Sequence, residues 1–373
     1  MSFRYASGIN KPGFNPLAGQ TTTAVYSLEL YSWGLNGSGD LGLNTATNRS
    51  SPVQVGALTD WLIISNTYSL SASVKTDGTL WSWGGNGSGQ LGHNNATTRS
   101  SPVQVGALTA WSKVSAGRDF CIAIKTDGTL WSWGSGSNGQ LGHNNTTTRS
   151  SPVQVGALTT WSKVSAGNYY CLAIKTDGTL WVWGNNVQGQ LGLNDTAYRS
   201  SPVQVGALTT WSKVSGATTH TLAIQTNGTL WSWGKNLDGQ LGQNNTTYRS
   251  SPIQVGALTT WSSIDSALKH SAAIKTNGTL WIWGEKQFGK LGLGDTYDNI
   301  SSPTQIGGST TWTTVSLITS SSFAIKTNGT LWAWGLNAQG QLGKNDTTDR
   351  SSPVQVGALT TWLDIDAPLA TFY

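Results

Sequence analysis

The chain has 373 residues, only 10% of them charged, with 22 Lys plus Arg against 17 Asp plus Glu and a formal net charge of +5. This small excess is spread without a Lys/Arg run, which excludes a basic arm that tracks nucleic acid. Two cysteines and four histidines show no metal-ligand spacing, so neither a metal nor a cofactor is expected.

Residues 1–24 stand outside any repeat. Gly8, Pro12, Gly13, Pro16 and Gly19 break regular structure there, while Phe3, Tyr5, Phe14 and Leu17 are too apolar for a solvated tail. The combination predicts an extended arm that anchors the protein on another chain and orders by docking. Residues 25–373 are then the folded unit. The leader lacks an apolar run of signal-peptide length, and no transmembrane run follows, so no membrane insertion is expected.

From Tyr31 onward one phrase recurs seven times. Its first marker is the Trp-Gly pair at Trp33, Trp83, Trp133, Trp183, Trp233, Trp283 and Trp334; its second is the Trp at 61, 111, 161, 211, 261, 312 and 362. Repeats of about 50 residues mean a propeller, solenoid or array. No copy can bury its apolar face alone, so all belong to one unit.

The best-defined copy begins at Trp111-Ser112-Lys113-Val114, read as a strand. Ala123 to Trp133 reads as a hairpin, because Asp127-Gly128 supplies the positive φ of a tight turn. Trp131 and Trp133 are two residues apart and share one sheet face. A further strand follows Pro152 at Val153-Gln154-Val155. Four short strands per copy, with no helical periodicity, predict an all-β, seven-bladed β-propeller of four-stranded antiparallel blades. The rungs of a β-solenoid are usually shorter. The chain starts partway through one copy and stops partway through another, at Trp362–Ile365. Six blades are therefore expected from continuous chain, roughly 61–361, and Trp362–Ile365 is expected to share a closing blade with the N-terminal strands around Tyr31–Trp33.

The strings Trp-x-Trp-Gly-x-Asn-x-x-Gly-Gln-Leu-Gly, Ser-Pro-Val-Gln-Val, Val-Ser-Ala-Gly and Leu-Ala-Ile-Lys-Thr-Asp-Gly resemble the regulator of chromosome condensation repeat family, over residues 24–368. The resemblance implies a seven-bladed propeller with a hybrid closing blade. It does not imply one function: members include a nucleotide exchange factor for the GTPase Ran, ubiquitin ligase modules and a plant ultraviolet-B photoreceptor. The exchange factor's wedge insertion and basic tail are absent from this sequence. The photoreceptor's Gly-Trp-Arg-His-Thr is replaced by segments such as Arg118-Asp119-Phe120. The near-identity of the copies is similar to simple-repeat proteins of phage and bacteria. By that analogy the expectation is a non-catalytic virion appendage of tail or capsid, part of an oligomeric assembly. Its arm would hold other virion proteins, and its propeller would decorate the particle or bind a host glycan or protein. The alternative is a cytoplasmic protein-binding adaptor or exchange-factor-like propeller.

Comparing copies separates scaffold from free positions. The segment after Val-Ser-Ala-Gly varies most, and it supplies the candidate binding rim: Tyr68, Arg118, Asp119, Phe120, Tyr169, Tyr170, His220, Lys269 and His270. A rigid ring with variable tips suits binding. The recurring Arg before Ser-Ser-Pro (Arg49, Arg99, Arg149, Arg199, Arg249, Arg350) reads as a repeated structural hydrogen bond. Cys121 and Cys171 read as small core residues. His93 and His143 occupy a position that accepts Leu, Gln or Lys elsewhere, which marks it as exposed. No catalytic constellation assembles, and no enzyme is expected.

Overall fold

The computed structural model describes the backbone of residues 5–10, and residues 28–294 and 298–366 in full. The strands, in chain order, are β1 (Tyr5–Asn10), β2 (Glu29–Gly34) and β3 (Arg49–Gln54), then six sets of four. Blade 1 is β4 (Trp61–Asn66), β5 (Leu70–Lys75), β6 (Leu80–Gly84) and β7 (Arg99–Gln104). Blade 2 is β8 (Trp111–Gly117), β9 (Phe120–Lys125), β10 (Leu130–Gly134) and β11 (Arg149–Gln154). Blades 3 to 6 repeat this pattern from Trp161, Trp211, Trp261 and Trp312, and the final strand, β28, is Trp362–Asp366. Each blade is a four-stranded antiparallel sheet in chain order, and a further four-stranded sheet has the order β28-β1-β2-β3. Among the described residues the one helical turn is a 3-10 turn at Gln287–Gly289.

The hairpin follows the sequence reading. Asp127 accepts hydrogen bonds from the Thr129 amide (2.9 Å) and hydroxyl (2.7 Å), and Trp131 Nε1 donates to that same Thr129 oxygen (2.8 Å). Gly128 sits at φ 77°, and a Cβ there would lie 2.1 Å from the Thr159 carbonyl oxygen. Only glycine fits this turn against its neighbour. The turn thus also fixes where the next copy begins.

Blades pack face to face through the tryptophans. Trp133 is fully buried and donates from Nε1 to the Gln90 carbonyl of the preceding blade (2.9 Å). The same bond recurs across other blade boundaries, and across the closing one as Trp33 to Gln341 (3.0 Å). Trp111 meets Trp131 and Trp133 edge-on at 6.0 Å each, in the arrangement that ring quadrupoles favour.

The first strand of each blade neighbours the first strand of the next and lines a central channel. Four residues after its Trp stands Ser65, Ser115, Ser165, Ser215, Asp265, Ser316 or Asp366. This side chain reaches the following blade. Ser65 Oγ accepts from the Ala116 amide (3.1 Å), Ser115 from Ala166 (2.9 Å), Ser165 from Gly216 (3.0 Å) and Asp265 from Leu317 (2.7 Å). Asp366 accepts from Asn66, which joins the last strand to blade 1.

The closing sheet joins the two ends of the chain as expected, with β28 and β2 in one four-stranded sheet, but its inner order differs. β28 does not pair with β2: β1 lies between them, with Tyr5 opposite Gly34 and Gly8 opposite Ile365. Residues 5–10, read as part of an external arm, are a strand of the propeller. The signal was present. Tyr5-Ala6-Ser7-Gly8-Ile9-Asn10-Lys11-Pro12-Gly13 aligns with Phe120-Cys121-Ile122-Ala123-Ile124-Lys125-Thr126-Asp127-Gly128, and Tyr5 faces Gly34 as Phe120 faces Gly134. It was masked because Pro-Gly replaces Asp-Gly and the following link to β2 is longer than in any other copy. The anchoring residues Phe3, Phe14 and Leu17 lie outside the described residues, as does the side chain of Tyr5.

Candidate partner-binding face

Antiparallel order puts the first-to-second and third-to-fourth connections at one end of every blade, and the other two at the opposite end. The two ends differ in kind. The first carries nearly all the differences between copies; we call it the variable face. The second repeats Thr-Asp/Asn-Gly-Thr turns and Gly-Ala-Leu-Thr loops; it is the uniform face.

On the variable face the third-to-fourth loop is held from inside. Asn86, buried, donates to the carbonyls of Asn95 (3.0 Å) and Thr97 (3.0 Å) and accepts from the Leu91 amide (2.9 Å). Asn36 and Asn236 do the same in their copies. A rigid base thus carries variable tips.

The rim residues divide sharply. Arg118 lies between two rings, its guanidinium carbon 5.5 Å from the centre of Tyr68 and 5.3 Å from that of Tyr169. These residues come from three consecutive blades, and Tyr68 is 38% exposed. Asp119 stands beside Arg118 (3.7 Å) in a left-handed conformation, φ 58°. Burial raises its pKa, against the opposing pull of Arg118. On another sector Lys269 pairs with Glu285 (2.7 Å) and Asp238 (3.8 Å), and Glu285 also holds the buried ammonium of Lys290. Burial disfavours the Lys269 charge, but the two carboxylates outweigh it and raise its pKa. Lys290 stands where five other copies have Gln and one has Asp40, and it donates to the Thr319 carbonyl of the next blade (3.3 Å). Sequence reasoning missed this cluster; its trace was the Gly-Lys-Leu-Gly departure from Gly-Gln-Leu-Gly.

Phe120, Tyr170, His220 and His270 are corrected: all four are fully buried. They open the second strand of their blades and point into the core beside the channel, where they bridge to the next blade. Tyr170 Oη donates to the His220 carbonyl (2.6 Å) and lies 3.0 Å from the Thr221 hydroxyl, while His220 Nε2 lies 2.8 Å from Ser271 Oγ and His270 Nε2 3.1 Å from Ser322 Oγ. Burial drives the His220 pKa down to about 3, lowers that of His270 well below the ordinary value, and raises that of Tyr170. Copy-to-copy variation here reflects alternative core packings.

Cys121 and Cys171 are buried, free, and pushed up in pKa by desolvation, so their thiols are inert. Cys171 Sγ takes the place of a hydroxyl, pointing to the Gln140 carbonyl (3.3 Å) as Thr221 does to Gln190 (2.9 Å). His93 and His143 are half-buried rather than exposed, each with Nε2 at 3.1 Å from a strand serine, Ser82 or Ser132. The repeated arginine makes the expected bonds in two copies: Arg199 to Asp195 and to the Ala197 carbonyl, Arg350 to Asp346 and to the Thr348 carbonyl. Where Asn95, Asn145 and Asn245 replace that aspartate, the buried Nε of Arg99, Arg149 and Arg249 has no partner. Among the described residues no group of three His, Cys, Asp or Glu could hold a metal ion, and no helix is long and apolar enough to cross a membrane.

This geometry defines a β-propeller with a central channel and one variable face. The RCC1-like domain matches residues 17–320, and the regulator of chromosome condensation (RCC1) repeat matches residues 328–367. The chain belongs to the RCC1-like family. Similar solved structures include human WBSCR16, with a TM-score of 0.81 at 20% identity over 92% of this chain and 99% of that one. Prp20p of Saccharomyces cerevisiae, described with its binding to Gsp1p and histones, gives a TM-score of 0.80 at 18% identity over 94% and 93%. Yeast RCC1 (Prp20) bound to Kap60 gives 0.78 at 17% identity over 96% and 86%. Identities this low show the fold alone. A sequence comparison with curated proteins returned no match. None of these likenesses points to a virion.

Proposed function

We propose that this protein is a non-catalytic, protein-binding propeller that engages a macromolecular partner through its variable face. The observation that carries this reading is the Tyr68–Arg118–Tyr169 stack with Asp119, assembled from three consecutive blades on a rigid base. Tyr and Arg are the residue types that dominate interface energies, and here their rotamers are already ordered by one another. The fold is shared with Prp20p, whose described partners are proteins, which supports the adaptor or exchange-factor-like reading over a particle appendage.

The test is affinity capture and cross-linking with the intact chain, followed by a dissociation constant for each identified partner. Tyr68→Ala with Tyr169→Ala should weaken the authentic partner at least ~10-fold, as loss of a hot-spot pair requires. Leu208→Ala, on the uniform face, should leave that constant unchanged. Equal binding by the tyrosine variant would remove the reading. Faster nucleotide release from a captured GTPase would narrow it to exchange.

A further inference from the structure

The uniform face shows a pattern that the proposed function does not use. Its fourth-to-first loops expose Leu58, Leu108, Leu158, Leu208, Leu258 and Leu359, each 42–49% accessible. The same copies differ on the variable face, yet this exposed leucine is kept in six of seven loops; the seventh has Gly308-Ser309.

Leu108 and Leu258 each border a cleft between neighbouring blades. Between blades 1 and 2 the cleft has a volume of ≈ 360 Å³ and is lined by Val105, Leu108, Trp131 and Pro152, with His93, Asn94 and Ser151 supplying polar groups. Between blades 4 and 5 it is ≈ 340 Å³, with Val255, Leu258, Trp281, Pro303, Gln243 and Asn244 in the corresponding places. Between blades 5 and 6, where Ser309 replaces leucine, it widens to ≈ 440 Å³. Trp131, Trp281 and Trp332 are half-exposed there. Each has its indole N–H already satisfied by the turn threonine, and each lies beneath a lysine ammonium at 3.6, 3.6 and 4.1 Å from the ring centre.

We propose that these clefts are repeated sites for neutral sugar residues. The floor is a tryptophan ring flanked by proline and leucine (Leu108, Leu258 or Leu293), apolar surface of the kind that the C–H face of a pyranose covers. In the first two clefts the edge is amide, imidazole and hydroxyl, and in the third it is the hydroxyls of Ser309 and Ser352; these match its hydroxyl groups. No carboxylate lines the three clefts, and the lysine ammonium at each floor is engaged with the tryptophan ring, so the lining offers no charge partner for a cationic ligand. The three clefts are separate, each at its own blade boundary, rather than joined into a groove. They therefore fit small units presented repeatedly, not one continuous peptide. The residue at position 93, 243 or 293 makes the clefts differ: His93 and Gln243 add a polar group, and Leu293 adds apolar surface. Weak single-site binding becomes strong when several clefts engage one multivalent surface, by a factor of ~10²–10⁴.

The experiment uses the full chain with methyl glycosides of common neutral hexoses in saturation-transfer NMR, and an array of multivalent neutral glycans. The expected result is transfer to the C–H protons of one glycoside class and retention of the matching glycans. Retention should disappear when the six leucines are changed to Asp, with the melting temperature within a few degrees of the parent. Leu108→Ala with Leu258→Ala, a milder pair, should reduce retention in proportion. No transfer and no retention overturns the proposal. So does retention unchanged in both leucine variants, or a leucine variant that loses a protein partner while no glycan is bound. The tyrosine variant of the variable face should bind glycan normally, so failure of one reading is distinguishable from failure of the other.

Discussion

Among single residues, the two buried histidines and the channel aspartate respond oppositely to acid. Ser271 Oγ donates to the Gln240 carbonyl (2.9 Å), so His220 must donate from Nε2, and its Nδ1 is left as a buried acceptor without a donor. His270 is in the same position, because Ser322 donates to the Lys290 carbonyl (2.7 Å). The folded His220 pKa, about 3, lies below the unfolded 6.5, so stability is full above pH 6.5 and falls as acid protonates the unfolded chain. The expected loss is roughly 3 kcal/mol between pH 6.5 and 4 for this residue. His220→Leu, with the residue found at Leu70 in blade 1, should flatten that slope in denaturant titrations across pH; an unchanged slope would refute the assignment. Asp265 runs the other way. Burial raises its pKa to about 6, above the unfolded 3.8, so its ionised form costs stability, and the cost fades as pH falls from 6 towards 4. Asp265→Ser, which installs the residue of five other copies, should raise the midpoint of unfolding at pH 8 more than at pH 4.5. Equal shifts at the two pH values would show that the carboxylate is not the cause.

The element that carries the fold is the hairpin that joins the second and third strands. Its glycine is required by both φ and space, so Gly128→Ala should cost at least about 1–3 kcal/mol from backbone strain alone, read as a lowered unfolding midpoint. The tryptophans two residues apart are not equivalent. Trp133 is buried and hydrogen-bonded to the previous blade, whereas Trp131 is half-exposed and bonds only within its own turn. Trp133→Phe should therefore cost about 1–3 kcal/mol by leaving the Gln90 carbonyl short of its donor. Trp131→Phe should cost less and should perturb the cleft it floors. The reverse order, measured by chemical denaturation, would contradict this packing.

The whole molecule depends on closure. β1 satisfies one edge of β2 and one edge of β28, and Asp366 ties β28 to Asn66 of blade 1. Removing residues 1–10 leaves both edges unpaired, and unpaired edges recruit other chains. The expected outcome is a lower melting temperature and concentration-dependent association in light scattering. A truncated chain that stays monomeric and melts like the parent would show that β1 does not close the sheet.

The sequence by itself determined the repeat, the four-stranded blades, the Asp-Gly turns and the joining of the chain's two ends in one sheet. All of these follow from local spacing and from turn chemistry that only certain residues supply. It could not place the rim residues, because variability marks positions free to differ, and a position is free either when it faces solvent, as Tyr68 does, or when its neighbour in the next blade changes with it, as His220 does with Ser271. Nor could it find β1, whose strand pattern matches other copies while its turn does not, so its membership was decided by the two open edges that it fills. Tertiary packing decided these points because the deciding contacts, His220 with Ser271 and β1 with β28, lie about 50 and about 350 residues apart. Such pairings depend on how blades meet around the channel, which no window along the chain contains.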